Sequence, residues 1–281
     1  MTLSELVAAA LSEDIGSGDA TTLGCVRASK GEAHIVAKQD VIVSGQRAAA
    51  EVYRSLGERY DWEANYAPVI EDGERACVGD VIARVHGDLR ALLIGERVAL
   101  NFLMRLSGIA TNTANHVGAT NGGFRVVDTR KTTPLHRALE KAAVRHGGGH
   151  NHRFGLDDGV MVKDNHIVAA GGIRQALDAV RAHCHHLMRI EVEVTTLGET
   201  REAIEAGADV LLLDNFDDDG LKDVIACARE LSPSTVLEAS GNMTAERIAR
   251  IQHLDLDVVS VGGLIHQATW VDLSMRMVHT K

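Results

Sequence analysis

The segment "DTRKTTPLHRALEKAAVRHGGGHNHRFG", Asp128 to Gly155, gathers arginine, lysine and histidine around a glycine triplet in a chain of formal net charge -10. Arg130, Lys131 and Arg153 bring two guanidinium forks and an ammonium, and His152 adds a hydrogen-bonding ring. A guanidinium matches both oxygens of a carboxylate, so the group reads as a receptor for a planar carboxylated anion. Further reactive residues follow short apolar runs: Thr129 in "FRVVDT", Lys163 in "VMVKDNH", Glu191 and Glu193 in "RIEVEV", and Asp214 in "DVLLLDN". The runs "TVLEAS" and "DVVSVGG" end in small residues, Ser240-Gly241 and Gly262-Gly263. Small residues let backbone N–H groups close on an anion, and a helix beginning near Thr244 would add its positive end, so these two turns form a candidate phosphate cradle. Acidic residues beside it suit a divalent cation held between phosphates. Lys163 admits a Schiff-base role, as in a sugar-phosphate aldolase, but so many cationic neighbours favour a phosphate partner. The histidine groups "HGGGHNH" and "HCHH" lack a catalytic zinc spacing, and the second reads as a solvated connector.

Such residues act together only if the fold brings the ends of the runs to one place. The six runs alternate with amphipathic stretches such as "IRQALDAVRAH" and "LKDVIACARELS", a rhythm that predicts a parallel sheet covered by helices. A complete barrel of this kind needs eight strands, so the expected fold is α/β with an open, incomplete parallel α/β barrel; a doubly wound sheet is the alternative. In both, chemistry gathers at the carboxyl ends of the strands. Alternation in "RIEVEV" points Arg189, Glu191 and Glu193 to one face, expected to be the barrel interior, where the carboxylates need either a metal or an internal ion-pair network with Arg189 or Lys163. Before residue 110 the pattern differs. It predicts a helix over 3–11, strands in "EAHIVAKQ" and "DVIVSG", a helix from Gln46, turns at Asp72-Gly73 and Gly79-Asp80, and a long helix over 89–106.

The 281 residues are 45% apolar and 24% charged, which allows a sizeable core. Aromatics at 3% and the acidic balance argue against a nucleic-acid partner. The start of the chain is amphipathic and acidic, and "RALLIGERVALNFLMR" is broken by Glu96 and Arg97, so neither a secretory signal nor a membrane span is expected. Cys25, Cys77, Cys184 and Cys227 are scattered, which fits reduced thiols in a cytoplasmic protein.

The stretches "DTRKTTP", "EKAAVRHGGGHNHRFGL", "VKDNHI", "IEVEV", "LLLDNF", "LEASG" and "SVGGLIH", with "LSEDIGSGDATT" and "GERVALNFLMRLSGIAT" before them, resemble the quinolinate phosphoribosyltransferase family along almost the whole chain. The resemblance implies an N-terminal α/β sandwich domain (1–110), joined by the C-terminal tail (267–281), and an open barrel (111–266). It implies quinolinate and phosphoribosyl pyrophosphate (PRPP) as substrates, Mg²⁺ as cofactor, and a homodimer or higher homo-oligomer with shared active sites. Carried over by motif, Arg97 is delivered across the subunit interface to bind substrate, Arg130, Lys131, His152 and Arg153 form the quinolinate cluster, Thr129 binds substrate beside them, and Lys163 lies near both substrates. Lys131, Lys163, Glu193 and Asp214 are then catalytic, and Glu193 and Asp214 hold the metal, directly or through PRPP. Ser240, Gly241, Asn242, Val261, Gly262 and Gly263 match the cradle for the 5′-phosphate. The chain departs from the family pattern at Leu135-His136, where Gly-Leu is usual, and at Asn242, Ile265 and Gln267. Alternatives are a paralogue acting on another pyridine or aromatic carboxylate, a non-catalytic PRPP-binding protein, and a histidine-based metal-binding protein.

Overall fold

Thr2 starts the first helix because its hydroxyl accepts the Glu5 amide while the Glu5 carboxylate accepts the Thr2 amide, a reciprocal cap. The computed structural model describes residues 1–278, with helices α1 (Leu3–Ile15), α2 (Ala20–Cys25), α3 (Gln46–Tyr60), α4 (Leu89–Gly118), α5 (Arg137–His146), α6 (Asp164–Ala170), α7 (Ile173–His183), α8 (Leu197–Glu205), α9 (Asp218–Leu231), α10 (Ala245–Ile251) and α11 (Gly263–His266). The strands are β1 (Lys30–Ala37), β2 (Val41–Ile42), β3 (Ala64–Pro68), β4 (Arg75–Ala76), β5 (Val81–Asp88), β6 (Arg125–Val127), β7 (Val160–Val162), β8 (Ile190–Val194), β9 (Val210–Asp214), β10 (Val236–Ser240), β11 (Val258–Ser260) and β12 (Leu273–Val278). They form two compact units, Met1–Ala114 with Thr132–Gly148 and the tail from Gln267, and Asn115–Lys131 with Gly149–His266.

In the first unit β12, β1, β5 and β3 make an antiparallel sheet in that order, and β12 pairs with β1 from Leu273 opposite Ala37 to Val278 opposite Glu32. Its core includes Ile35, Val52, Tyr53, Leu56, Ile82, Val85, Leu92 and Leu103, each fully buried and each stabilising the unit by roughly 1.5–3 kcal/mol through the apolar area removed from water. Helix α4 continues to Gly118, past the expected end at Leu106, because "SGIATNTANHVG" buries small residues that a search for large apolar side chains overlooks. Gly108 shows why they must be small: a Cβ there would collide with the Thr269 carbonyl. The loop after the arginine-lysine pair also packs in this unit. Buried Glu140 accepts from the Thr133 amide at 2.8 Å and from Arg105 at 2.9 Å.

Leu135 has φ 69° and is 72% exposed, so it adopts the left-handed region with no packing to compensate. This is the position where the resemblance implies glycine. Leu135→Gly is therefore expected to raise stability by about 0.5–1 kcal/mol, read as a higher urea midpoint with an unchanged m-value. A lower midpoint would show that the Leu135 side chain contributes to the fold.

The second unit is the six-stranded parallel sheet, in the order β6-β11-β10-β9-β8-β7. Consecutive strands neighbour one another from β7 to β11, β11 returns to β6, and no ladder joins β6 to β7 among the described residues. The sheet is thus an open barrel with one missing seam. Ile190, Val192, Val194, Leu211, Leu213, Leu237 and Ala239 are buried on its outer face, and by alternation Glu191, Glu193, Asp214, Glu238 and Ser240 face inward. Arg189 lies just before β8 and is exposed. The "HCHH" group ends α7 and leads into an exposed turn.

Candidate active site

The missing seam is where the basic segment goes. His150 donates its amide to the Val126 carbonyl at 2.8 Å and accepts from the Asp128 amide at 3.1 Å, so the chain after Gly149 runs along the free edge of β6. Asp128 itself is fully buried; its two oxygens accept the His152 amide at 2.9 Å and the Asn151 side-chain amide at 2.6 Å. Those bonds fix the backbone from which His152 and Arg153 project. The Arg153 stem lies against Gly159, where a Cβ would stand 3.2 Å from Arg153 Cβ, and its guanidinium donates to the Gly159 carbonyl at 2.9 Å. A second guanidinium nitrogen lies 3.9 Å from Met161 Sδ on β7. Through Arg153 the segment therefore spans from β6 to β7.

The charges at this seam oppose one another. Burial lowers the Arg153 pKa, the nearby Arg130 lowers it further, and Glu191 and Asp158 pull the other way. Arg130 and Lys131 are exposed, and the Lys131 stem runs over Gly262, whose Cβ would stand 2.8 Å from Lys131 Cδ. The Thr129 hydroxyl accepts the Lys131 amide at 3.1 Å. On the inner face, Lys163 Nζ pairs with Glu193 Oε2 at 3.1 Å, and Asn215 Nδ2 donates to Asp214 Oδ2 at 2.6 Å. Of the two cationic partners open for this strand's carboxylates, Arg189 and Lys163, it is Lys163 that pairs with Glu193. His152 takes Glu191, with Nε2 3.2 Å from Oε2, and approaches Glu238 Oε1 at 3.6 Å.

The two small-residue turns end β10 and β11. Gly241 has φ 95° and sits so close to Asn215 that no Cβ fits, and Asn242 at φ 49° takes a conformation that asparagine tolerates better than most residues. Arg247 donates to the Gly241 carbonyl at 2.6 Å and to Asp218 at 2.9 Å, tying the first turn to the neighbouring loop. Thr244 caps the seven-residue α10 with its own hydroxyl. Val261 and Ile265 are both buried. Gly262 and Gly263 are half-buried.

Residues 19–107 match the model of the N-terminal domain of quinolinate phosphoribosyl transferase, and residues 109–276 match that of its C-terminal domain. The chain belongs to the quinolinate phosphoribosyltransferase family. A probable carboxylating nicotinate-nucleotide pyrophosphorylase of Synechocystis sp. is 41% identical over 269 residues, covering 95% of this chain and 90% of the relative. A second, from Bacillus subtilis, is 43% identical over 267 residues, covering 94% and 89%. The solved structure of the nicotinate-nucleotide pyrophosphorylase from Francisella tularensis superposes with a TM-score of 0.92 at 34% identity, covering 98% of this chain and 96% of that one.

Within this quinolinate phosphoribosyltransferase fold, the second unit carries Thr129, Arg130, Lys131, His152, Arg153, Lys163, Glu193, Asp214, Ser240, Gly241, Asn242, Val261, Gly262 and Gly263. Arg97 is exposed on α4 in the first unit. Sequence reasoning did not single out Asp128, Glu238 or Arg247. For Glu238 the signal was present: a carboxylate in the middle of the apolar run "TVLEAS" raises the same question of an inward partner as those in "RIEVEV".

Proposed function

We propose that this chain transfers the phosphoribosyl group of PRPP to the ring nitrogen of quinolinate, with loss of CO₂ and pyrophosphate, to give nicotinate mononucleotide. The observation that carries the reading is the inner face itself. Arg153 with Arg130 meets the anion at the barrel seam, and the carboxylates Glu193 and Asp214 end neighbouring strands beside the small-residue turns. Two adjacent carboxylates on a pyridine ring call for two cationic groups in close order, which explains why Arg130 and Arg153 are held together despite their repulsion. Glu193 and Asp214 oppose the positive charge that builds on the anomeric carbon as the bond to pyrophosphate lengthens. Lys163, already paired with Glu193, sets that carboxylate's direction. The amides around Gly241 and Gly262 receive the 5′-phosphate, and Lys131, whose stem runs over Gly262, brings an ammonium to the same turn. Once ribosylated, the pyridine nitrogen is cationic and accepts the electrons left behind as the 2-carboxylate departs.

Magnesium fits the donor set. Glu193 and Asp214 present only oxygen and are half-buried at strand ends, donors of the type a hard cation takes. When bound there it supplies Lewis-acid stabilisation of the departing pyrophosphate. The setting is cytoplasmic, in keeping with four free cysteines, and no described helix is long and apolar enough to cross a membrane.

The test is incubation with PRPP, Mg²⁺ and either quinolinate or nicotinate, with nucleotide and CO₂ both measured. Quinolinate-dependent nucleotide with equimolar CO₂ supports the reading, and nucleotide from nicotinate alone defeats it. The assembly is a homodimer in which Arg97 serves the partner's site. Mixed Arg97→Ala and Arg153→Ala proteins are then expected to recover up to about a quarter of wild-type turnover, since random exchange makes about half the dimers hybrid and each hybrid holds one intact site. No recovery after proven subunit exchange counts against it.

A further inference from the structure

Among the described residues, His152, Glu191 and Glu238 bring one ligand atom each to within 4.8 Å of one another. The carboxylates are deeply buried, at 7% and 4% exposure, and Glu191 Oε1 and Glu238 Oε1 have no hydrogen-bond partner. Two buried acids facing one imidazole suggest a metal, but the ring's other nitrogen argues otherwise. His152 Nδ1 accepts the Arg153 backbone amide at 2.7 Å, so Nδ1 carries the lone pair and Nε2 carries the proton. An Nε2–H faces Glu191 Oε2 as a donor and offers no lone pair to a cation.

Resting on the function proposed above, we propose that Glu238 and Glu191 are positioning residues for the quinolinate site: they hold His152 as its Nε2–H tautomer, and His152 through Nδ1 holds the Arg153 amide and so the direction of the Arg153 guanidinium. Every link of this relay has a contact. Asp128 fixes the His152 amide at 2.9 Å, so the ring pivots only about its side-chain bonds. Glu191 and Glu238, at 3.2 and 3.6 Å from Nε2, close on the far end of the ring from two different strands, β8 and β10. Ser260, from β11, hydrogen-bonds Glu238 and steadies it. Burial first, then the Glu191 charge, push the Glu238 carboxyl up to about 7, while His152 and the Ser260 hydrogen bond draw it down. Glu191 in turn favours the positive charge of Arg153, which burial and Arg130 disfavour. His152 thus acts through Arg153, with both ring nitrogens engaged inside the protein.

The test compares Glu238→Leu and Glu238→Gln with the wild-type enzyme, reading KM for each substrate, kcat, and the ring nitrogen resonances of His152 by ¹H–¹⁵N correlation in the full-length protein. Glu238→Leu is expected to raise KM for quinolinate about tenfold with KM for PRPP within about twofold, and to lose the single Nε2–H pattern of His152. Glu238→Gln, which keeps an oxygen facing the ring, is expected to restore most of both. Equal rises in both KM values, or an unchanged quinolinate KM in a folded Leu variant, overturn the proposal. Wild-type spectra stand even if a variant fails to fold: an Nδ1–H or doubly protonated ring at neutral pH overturns it, and the Nε2–H form supports it. If the wild-type enzyme turns over no quinolinate, the functional reading fails, whereas the tautomer still decides the relay.

Discussion

Arg153→Ala is expected to lower kcat/KM for quinolinate by roughly 10²–10³-fold while KM for PRPP stays within a few-fold, because truncating one partner of a desolvated charge pair costs about 2–5 kcal/mol. The expectation follows from the seat of this side chain. It is half-buried, its stem lies on Gly159, and its amide is held by His152, so the guanidinium is oriented before any anion arrives. Arg153→Lys is expected to recover only a small part, since an ammonium cannot grip two oxygens in the plane of a carboxylate. Steady-state kinetics with each substrate varied separately checks both. A loss shared equally between the two substrates would mean that the seam had collapsed and that Arg153 was not reporting on the anion.

The second large effect is on stability. Glu140→Ala is expected to cost about 3–5 kcal/mol, the usual result of stranding a buried charge. The Glu140 side chain is 1% exposed and Arg105 only 17%. The same carboxylate also accepts the Thr133 amide and hydroxyl, each at 2.8 Å, so the loop that follows Lys131 is released as well. At about 2–4 °C per kcal/mol for a protein of this size, Tm should fall by roughly 6–20 °C in a thermal melt followed by circular dichroism. The double variant Arg105→Met, Glu140→Leu is expected to regain much of the loss, because it removes both charges and refills the space. No recovery would show that the Thr133 bonds, rather than the ion pair, carry the effect.

How much of this was legible beforehand depended on what kind of signal each feature left. Period-two alternation placed Glu191 and Glu193 on the inner face, and strand ends located Lys163 and Asp214, because both signals are local. The path of the basic segment was not local. Nothing in "HGGGHNHR" shows that it takes the free edge of β6, since that depends on a ladder between β6 and β7 that never forms. The partner of Arg105 was hidden for the same reason: Glu140 lies 35 residues away and reads in sequence as an ordinary exposed helix charge. The end of α4 was missed because its last turns are buried through Gly108, Ala110 and Thr113, residue types that look neutral to a hydrophobicity pattern. Glu238 was legible and passed over, one carboxylate in an apolar run.

The pairing of β12 with β1 has a consequence for how the chain is made. These partners lie at opposite ends of the described chain, and every strand of the parallel sheet separates them. On the ribosome all six of those strands emerge before Leu273 does, so the catalytic barrel has its full complement of strands while the earlier-synthesised sheet still presents β1 with an open edge. The portion translated first is therefore the portion completed last, and until then its exposed edge is what a chaperone would meet.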